Sequence, residues 1–164
     1  MIFNFNASEV FRIAVEIEEN GKNFYEKSQE HVGDMEVRKL FEELALQEVD
    51  HKKRFEALRG QLPATAASPT VWDPENELEQ YIKMMADQHV FVSSQSMVEQ
   101  LERIKDVKDA LKLAIQFEKD SVLFFLSLQD ATAGKEGQEV INLLVKEEQE
   151  HLRKLSLQLM RLSR

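Results

Sequence analysis

The chain has 164 residues, a formal net charge of −9, 43% hydrophobic residues and no cysteine, which suits one folded domain of ordinary composition. The lack of cysteine excludes disulfides, zinc-thiolate sites, iron–sulfur clusters and thiol nucleophiles, so any metal must be held by carboxylate and imidazole. The negative charge, with no signal-like N-terminus and no apolar run of about 18–20 residues, predicts a cytoplasmic protein with neither nucleic acid nor membrane as partner.

Two long helices are predicted in the first third of the chain, because apolar residues recur there at spacings of three and four. The first helix is predicted from about Ser8 to Glu30. The second is predicted from about Met35 to Leu58, with Asp34 as its N-cap and Gly60 as its stop. Residues 61–72 are uncharged and rich in Pro, Ala, Ser and Thr, which predicts a linker.

The middle of the chain is predicted to hold two short helices. The first begins at Asp73 and Pro74, an N-cap followed by proline at the first helical position. Its inner face is predicted to carry Leu78, Tyr81, Ile82, Met85 and His89. The second spans about Gln95 to Ile104.

Two further long helices complete the prediction. The third runs from an N-cap at Asp106 to about Gln129, and Ala133 and Gly134 break the helical pattern. The fourth runs from about Glu136 to Leu162. The segment 121–128 is apolar nearly all round the third helix, so more than one of its faces should be covered, by the short helices or by a second subunit.

The most informative pattern is a repeat at an offset of 100 residues. Each half contains a glutamate, a second glutamate thirty residues later, and a histidine three residues after that. All of these polar residues fall where the apolar stripe of a helix should face the core. They are Glu18, Glu48 and His51 in the first half and Glu118, Glu148 and His151 in the second.

Four carboxylates in an apolar core are costly unless cations compensate them. Two divalent metal ions would match their four charges, and two neutral imidazoles would complete the ligand set. A Glu-x-x-His pair lies on one helix face, so it can supply a bridging carboxylate and a terminal nitrogen. Glu18 and Glu118 would be terminal carboxylates. Oxygen and nitrogen ligands without sulfur suit iron or manganese.

This doubled pattern resembles the ferritin-like di-iron carboxylate superfamily and, within it, the rubrerythrin-like proteins. The resemblance implies an all-α, ferritin-like four-helix bundle with a long helical crossover between helices 2 and 3. It implies one domain over residues 1–164, with helix pairs at 8–58 and 107–162 and the crossover at 59–106. It implies two Fe ions, with Mn as the alternative, held by Glu18, Glu48, His51, Glu118, Glu148 and His151.

The resemblance also implies a function. Tyr25 matches a tyrosine near the metals of rubrerythrins and is the candidate catalytic residue. The expected activity is an oxidoreductase reaction with peroxide or O2. The alternatives are a ferroxidase or iron-storage protein and a non-catalytic metal-binding bundle. A homo-oligomer is expected, with a dimer favoured.

Two departures from the rubrerythrin pattern affect these expectations. Ser121 stands where rubrerythrins carry an extra metal-binding glutamate, and the cysteine-ligated rubredoxin domain is absent from the 164 residues. Electrons are therefore expected from an external electron-transfer protein. Other polar residues receive plainer interpretations: His89 is a packed core histidine rather than a ligand. Gln47 and Glu147 lie one turn before the histidines and could orient them, but a solvated helix face is favoured for both.

Overall fold

A computed structural model gives the fold and describes residues 7–61, 75, 77–132 and 135–164. Over these residues the chain forms only helices, which confirms the all-α prediction. Their bounds are α1 Ala7–Ser28, α2 Met35–Gly60, α3 Glu77–Asp87, α4 Ser94–Leu101, α5 Val107–Ala131 and α6 Lys135–Leu162, with a 3-10 turn at Gln29–His31. None of the helices in these ranges is both long and apolar enough to cross a membrane.

The four long helices form two antiparallel hairpins that pack into a bundle. α1 lies along α2, and α5 lies along α6. The aromatic contacts of Phe11 with Phe55 and of Phe24 with Phe41 show the antiparallel direction, because residue numbers rise on one helix as they fall on the other. Contacts of α2 with α6 and of α1 with α5 join the hairpins.

Side-chain caps define where several helices begin. The Asp34 carboxylate accepts hydrogen bonds from two backbone N–H groups of α2, and that of Asp106 accepts one from Asp109, as predicted from the sequence. α4 begins at Ser94 rather than Gln95, because Ser93 and Ser96 form a reciprocal capping box. α4 ends at Leu101, short of the predicted Ile104.

The crossover packs against the bundle beside the buried seam of α1 and α5. α3 contacts α5, and α4 contacts α1. The loop after α3 is held by hydrogen bonds from Asn20 Nδ2 to the Phe91 carbonyl (3.0 Å) and from the Val90 N–H to Asp120 (2.9 Å). Ile82 is buried as predicted, whereas Tyr81 is 40% exposed and its predicted inward position is wrong.

Some predictions fall outside the part of the chain that the structure describes. These are the linker at 62–72, the helix start at Asp73 and Pro74, and the break at Ala133 and Gly134; Leu78 lies on α3, but its side chain is not described. The apolar segment of α5 is described throughout. Phe124 and Phe125 are fully buried, but Leu123 and Leu126 are 49% and 39% exposed, so one face of that segment remains uncovered within the described chain.

Candidate metal centre

The bundle brings all six predicted ligands to one buried place. Each long helix contributes one or two of them, because a residue and its third successor lie on the same helix face. Their side chains are almost fully buried. They are Glu18 on α1, Glu48 and His51 on α2, Glu118 on α5, and Glu148 and His151 on α6.

Three carboxylates surround the Nδ1 atom of His51. This nitrogen lies 2.6 Å from Oε1 of Glu148. It lies 3.3 Å from Oε2 of Glu18 and 3.3 Å from Oε2 of Glu48. One imidazole nitrogen and three carboxylate oxygens from three helices therefore meet at this point.

A matching group surrounds the Nδ1 atom of His151. It lies 3.1 Å from Oε2 of Glu148 and 3.5 Å from Oε1 of Glu118. Oε1 of Glu48 lies 3.7 Å away. Glu48 and Glu148 belong to both groups, and each turns one oxygen towards each histidine. This is the placement required of carboxylates that bridge two cations.

The donor atoms lack the hydrogen bonds that buried polar atoms normally make. Among the described residues, nine of the ten buried side-chain N and O atoms without a hydrogen-bond partner belong to these six residues. Their atoms approach one another closely, yet not in hydrogen-bonding directions, because they converge on shared points. Four carboxylates and two imidazole nitrogens arranged in this way fit two divalent metal ions.

Comparison with known proteins agrees with this geometry. The Rubrerythrin family model matches residues 9–159. The chain belongs to the rubrerythrin family. A crystal structure from Thermotoga maritima, described provisionally as a ferritin-like diiron-carboxylate protein, is 27% identical, with 98% of each chain covered and a TM-score of 0.72. No curated protein matches the chain significantly.

In this rubrerythrin-family chain, both histidines are also held from outside the centre. Nε2 of His51 lies 3.0 Å from Oε2 of Glu147, and Nε2 of His151 donates to Oε1 of Gln47. With a metal on each Nδ1, the remaining ring proton would lie on Nε2 and be donated to these outer partners. The sequence favoured a solvated face for Gln47 and Glu147 over a role in orienting the histidines. The structure shows the histidine contacts instead, and they join α2 to α6 across the bundle.

Gln47 and Glu147, the hydrogen-bond partners of the two histidines, line a surface depression between α2 and α6. Its volume is about 290 Å³, and both histidine rings form part of its floor. The two rings are stacked, with centroids 5.3 Å apart and planes 10° apart. Charged residues surround the partners at the rim: Asp50, Arg54, Glu150 and Lys154.

Burial and mutual repulsion set the protonation of the metal-free cluster. Burial raises the pKa of Glu18 and of Glu118 well above the usual value, and neighbouring carboxylates raise it further. Burial lowers the pKa of His151, but Glu118 and Glu148 outweigh it and raise that pKa to about 11. Burial likewise lowers the pKa of His51, but the carboxylates of Glu148, Glu147 and Glu18 together outweigh it and hold that pKa well above its usual value. Without a metal, Glu18, Glu118, His51 and His151 therefore keep their protons to a higher pH than usual.

Tyr25 lies beside the centre, two turns after Glu18 on α1. Its hydroxyl donates a hydrogen bond to Oε1 of Glu118. Burial, followed by the charge of Glu118, raises the pKa of Tyr25 well above its usual value. The hydroxyl therefore keeps its proton at neutral pH and points it at a donor residue of the centre.

Ser121 and His89 form a separate polar pair next to the cluster. Nδ1 of His89 accepts the backbone N–H of Phe91 at 3.1 Å, so its Nε2 carries the proton and donates to Oγ of Ser121 at 3.1 Å. Burial lowers the pKa of His89 to about 3 and keeps the ring neutral. His89 is thus a packed histidine, as predicted, and it hydrogen-bonds Ser121.

Proposed function

We propose that the chain binds two iron ions between its six buried Glu and His residues and uses them to reduce peroxide or to react with O2. The observation that carries this proposal is the placement of Glu48 and Glu148, each with one oxygen towards each histidine. Glu18 and Glu118 then act as terminal carboxylates, one for each metal position.

The redox balance of the proposal requires two metals. Two iron ions held by the six residues would supply two electrons on oxidation from Fe(II) to Fe(III), enough with two protons to convert H2O2 into two molecules of water. An external electron-transfer protein would return the electrons. Carboxylate and imidazole also suit manganese, so iron is favoured by the family rather than by the ligand set.

The protein's own residues orient and protect the reacting ligand. Burial of all six residues limits water at the centre. Tyr25 holds a protonated hydroxyl against Glu118, where it can donate a hydrogen bond or a proton. Glu147 and Gln47 fix the ring orientation of His51 and His151 through Nε2.

Replacing both histidines tests the ligand assignment. We expect the double variant His51→Ala, His151→Ala to lose stoichiometric iron binding, because each metal position loses its only nitrogen ligand. Anaerobic Fe(II) titration with elemental analysis would measure this. His31→Ala is the matched control, since His31 is exposed on a 3-10 turn away from the centre. Two irons per chain in the double variant would show that the assignment is wrong.

Turnover is tested separately on the wild-type protein loaded with two irons per chain. We expect consumption of peroxide or O2 with a chemical reductant in place of the protein donor. Two bound irons without turnover would indicate a non-catalytic metal-binding bundle. An iron content far above two per chain would indicate storage, and preferential loading with manganese would redirect the proposal to a dimanganese centre.

A further inference from the structure

The internal repeat conserves the six ligand positions but not their hydrogen-bond partners. Residues 47 and 147 are equivalent in the two halves, yet one is Gln47 and the other Glu147. Residues 25 and 125 are also equivalent, yet one is Tyr25 and the other Phe125. The two metal positions therefore have the same ligand types in different surroundings.

The histidine of the first position hydrogen-bonds an anion. Nε2 of His51 lies 3.0 Å from a carboxylate oxygen of Glu147. The same oxygen accepts a hydrogen bond of 2.9 Å from Arg54, which holds the carboxylate in place. A hydrogen bond to a carboxylate makes an imidazole a stronger electron donor to a metal on its other nitrogen.

The histidine of the second position hydrogen-bonds a neutral amide. Nε2 of His151 donates to the Gln47 carbonyl oxygen, and the Gln47 amide in turn donates to Glu43 at 3.2 Å. The oxygen and nitrogen of Gln47 are therefore both used, which fixes its orientation. An uncharged acceptor polarises the imidazole less than a carboxylate does.

The terminal carboxylates also differ, and again the residue of the first position, Glu18, is the stronger donor to a metal. Glu118 accepts a hydrogen bond from the Tyr25 hydroxyl, which draws electron density away from its metal-binding oxygens. Both carboxylate oxygens of Glu18 lack a hydrogen-bond partner. Phe125, which stands in the other half where Tyr25 stands in the first, has no hydroxyl to donate.

We propose that the two positions are unequal and that the one between Glu18 and His51 binds a divalent metal more tightly and fills first. This inference rests on the proposed two-metal centre. The position between Glu18 and His51 has the stronger nitrogen donor and the stronger terminal carboxylate. His51 is polarised by an anion, and Glu18 is not weakened by a hydrogen bond.

Exchange of the two histidine partners tests the proposal. Co(II) is the probe, because it takes the same oxygen and nitrogen ligands. Calorimetric titration of the wild-type protein should resolve two binding steps whose constants differ by about tenfold or more, the size of effect that such partners have on metal affinity. Anomalous scattering from crystals with one Co(II) per chain should place the metal beside Glu18 and His51.

Three variants distinguish the effect of the histidine hydrogen bonds on metal affinity from the effect of negative charge near the site. Glu147→Gln should weaken the tighter step, and the exchange variant Gln47→Glu, Glu147→Gln should move the first Co(II) to the position beside His151. Glu150→Gln is the matched control: it removes the same charge from the rim of the same depression, and Glu150 pairs with Arg153 and Lys154 rather than with a histidine. It should leave both constants unchanged.

A second route keeps the test valid if an exchange variant folds poorly. Tyr25→Phe removes the hydrogen bond to Glu118 and should tighten the weaker step. Two equal steps that no variant alters would overturn the inequality while the two-metal centre stands. Failure of the wild-type protein to bind Co(II) or Fe(II) at all would overturn both proposals.

Discussion

At the scale of single residues, Gly21 shows how closely the structure around the centre is packed. It lies on α1 one turn after Glu18, where the ring of Phe117 from α5 crosses the helix backbone. A Cβ atom at residue 21 would overlap carbon atoms of that ring. The ring has little room to move, because it also packs against Tyr25 and Phe91, with centroids 6.0 Å and 5.1 Å away.

We therefore expect Gly21→Ala to destabilise the protein. The overlap should cost about 1–3 kcal/mol, as overpacking does, and outweigh the gain of up to about 1 kcal/mol that alanine brings to a helix. Urea unfolding followed by circular dichroism would measure the change. Gly60→Ala is the matched control, because a Cβ there meets no atom within 4 Å. Equal stability of the two variants would contradict the close approach of α5 to α1.

Residue-scale contacts also mark the limit of what the sequence could predict. The six clustered residues were found because the repeat places each of them on an inward helix face. The partnership of His51 with Glu147 could not be found this way, since it joins residues 96 positions apart on different helices. The hydrogen bond of His89 to Ser121 depends in the same way on how the crossover loop docks.

At the scale of elements, helix starts are set by local signals and were predicted well. Asp106 is an example: its carboxylate accepts the N–H of Asp109 at 2.9 Å and so begins α5. Such a cap is visible in the sequence, because it involves residues only three apart. The inward direction of Tyr81 was predicted from the same kind of pattern and was wrong, since tertiary packing decides which side of a short helix is covered.

We expect Asp106→Ala to lower the free energy of unfolding by about 1 kcal/mol, the usual cost of removing an N-cap. Asp106→Asn should retain most of the stability, since asparagine caps helices about as well as aspartate does. Thermal and urea unfolding of the three proteins would measure both effects. If the alanine and asparagine variants were equally stable, the side chain would not act as a cap.

At the scale of the whole molecule, metal binding should be coupled to proton release. The pKa values of Glu18, Glu118, His51 and His151 are raised in the metal-free protein, so these groups keep their protons to a higher pH than usual and a metal must displace them. Affinity should therefore increase as the pH rises from about 6 to 8. This range lies below the pKa of His151, about 11, so competition by its proton weakens steadily across it.

Proton release can be measured with a pH indicator in weak buffer during anaerobic Co(II) addition, and affinity by calorimetry at several pH values. His51→Ala, His151→Ala should release few or no protons. An affinity that falls with rising pH would contradict the protonation of the metal-free cluster.

The two hairpins have a consequence for how such a centre can change over time. Each hairpin supplies three of the four donors at one metal position and one bridging carboxylate to the other. Two identical hairpins that pair as separate molecules would build the same six-ligand cluster. They would necessarily place the same hydrogen-bond partner on both histidines. When the two hairpins are joined in one chain, residues 47 and 147 are encoded at different positions and can differ. A single chain with two hairpins can therefore surround two metals with different residues. A pair of identical half-length chains would have to surround both metals with the same residues.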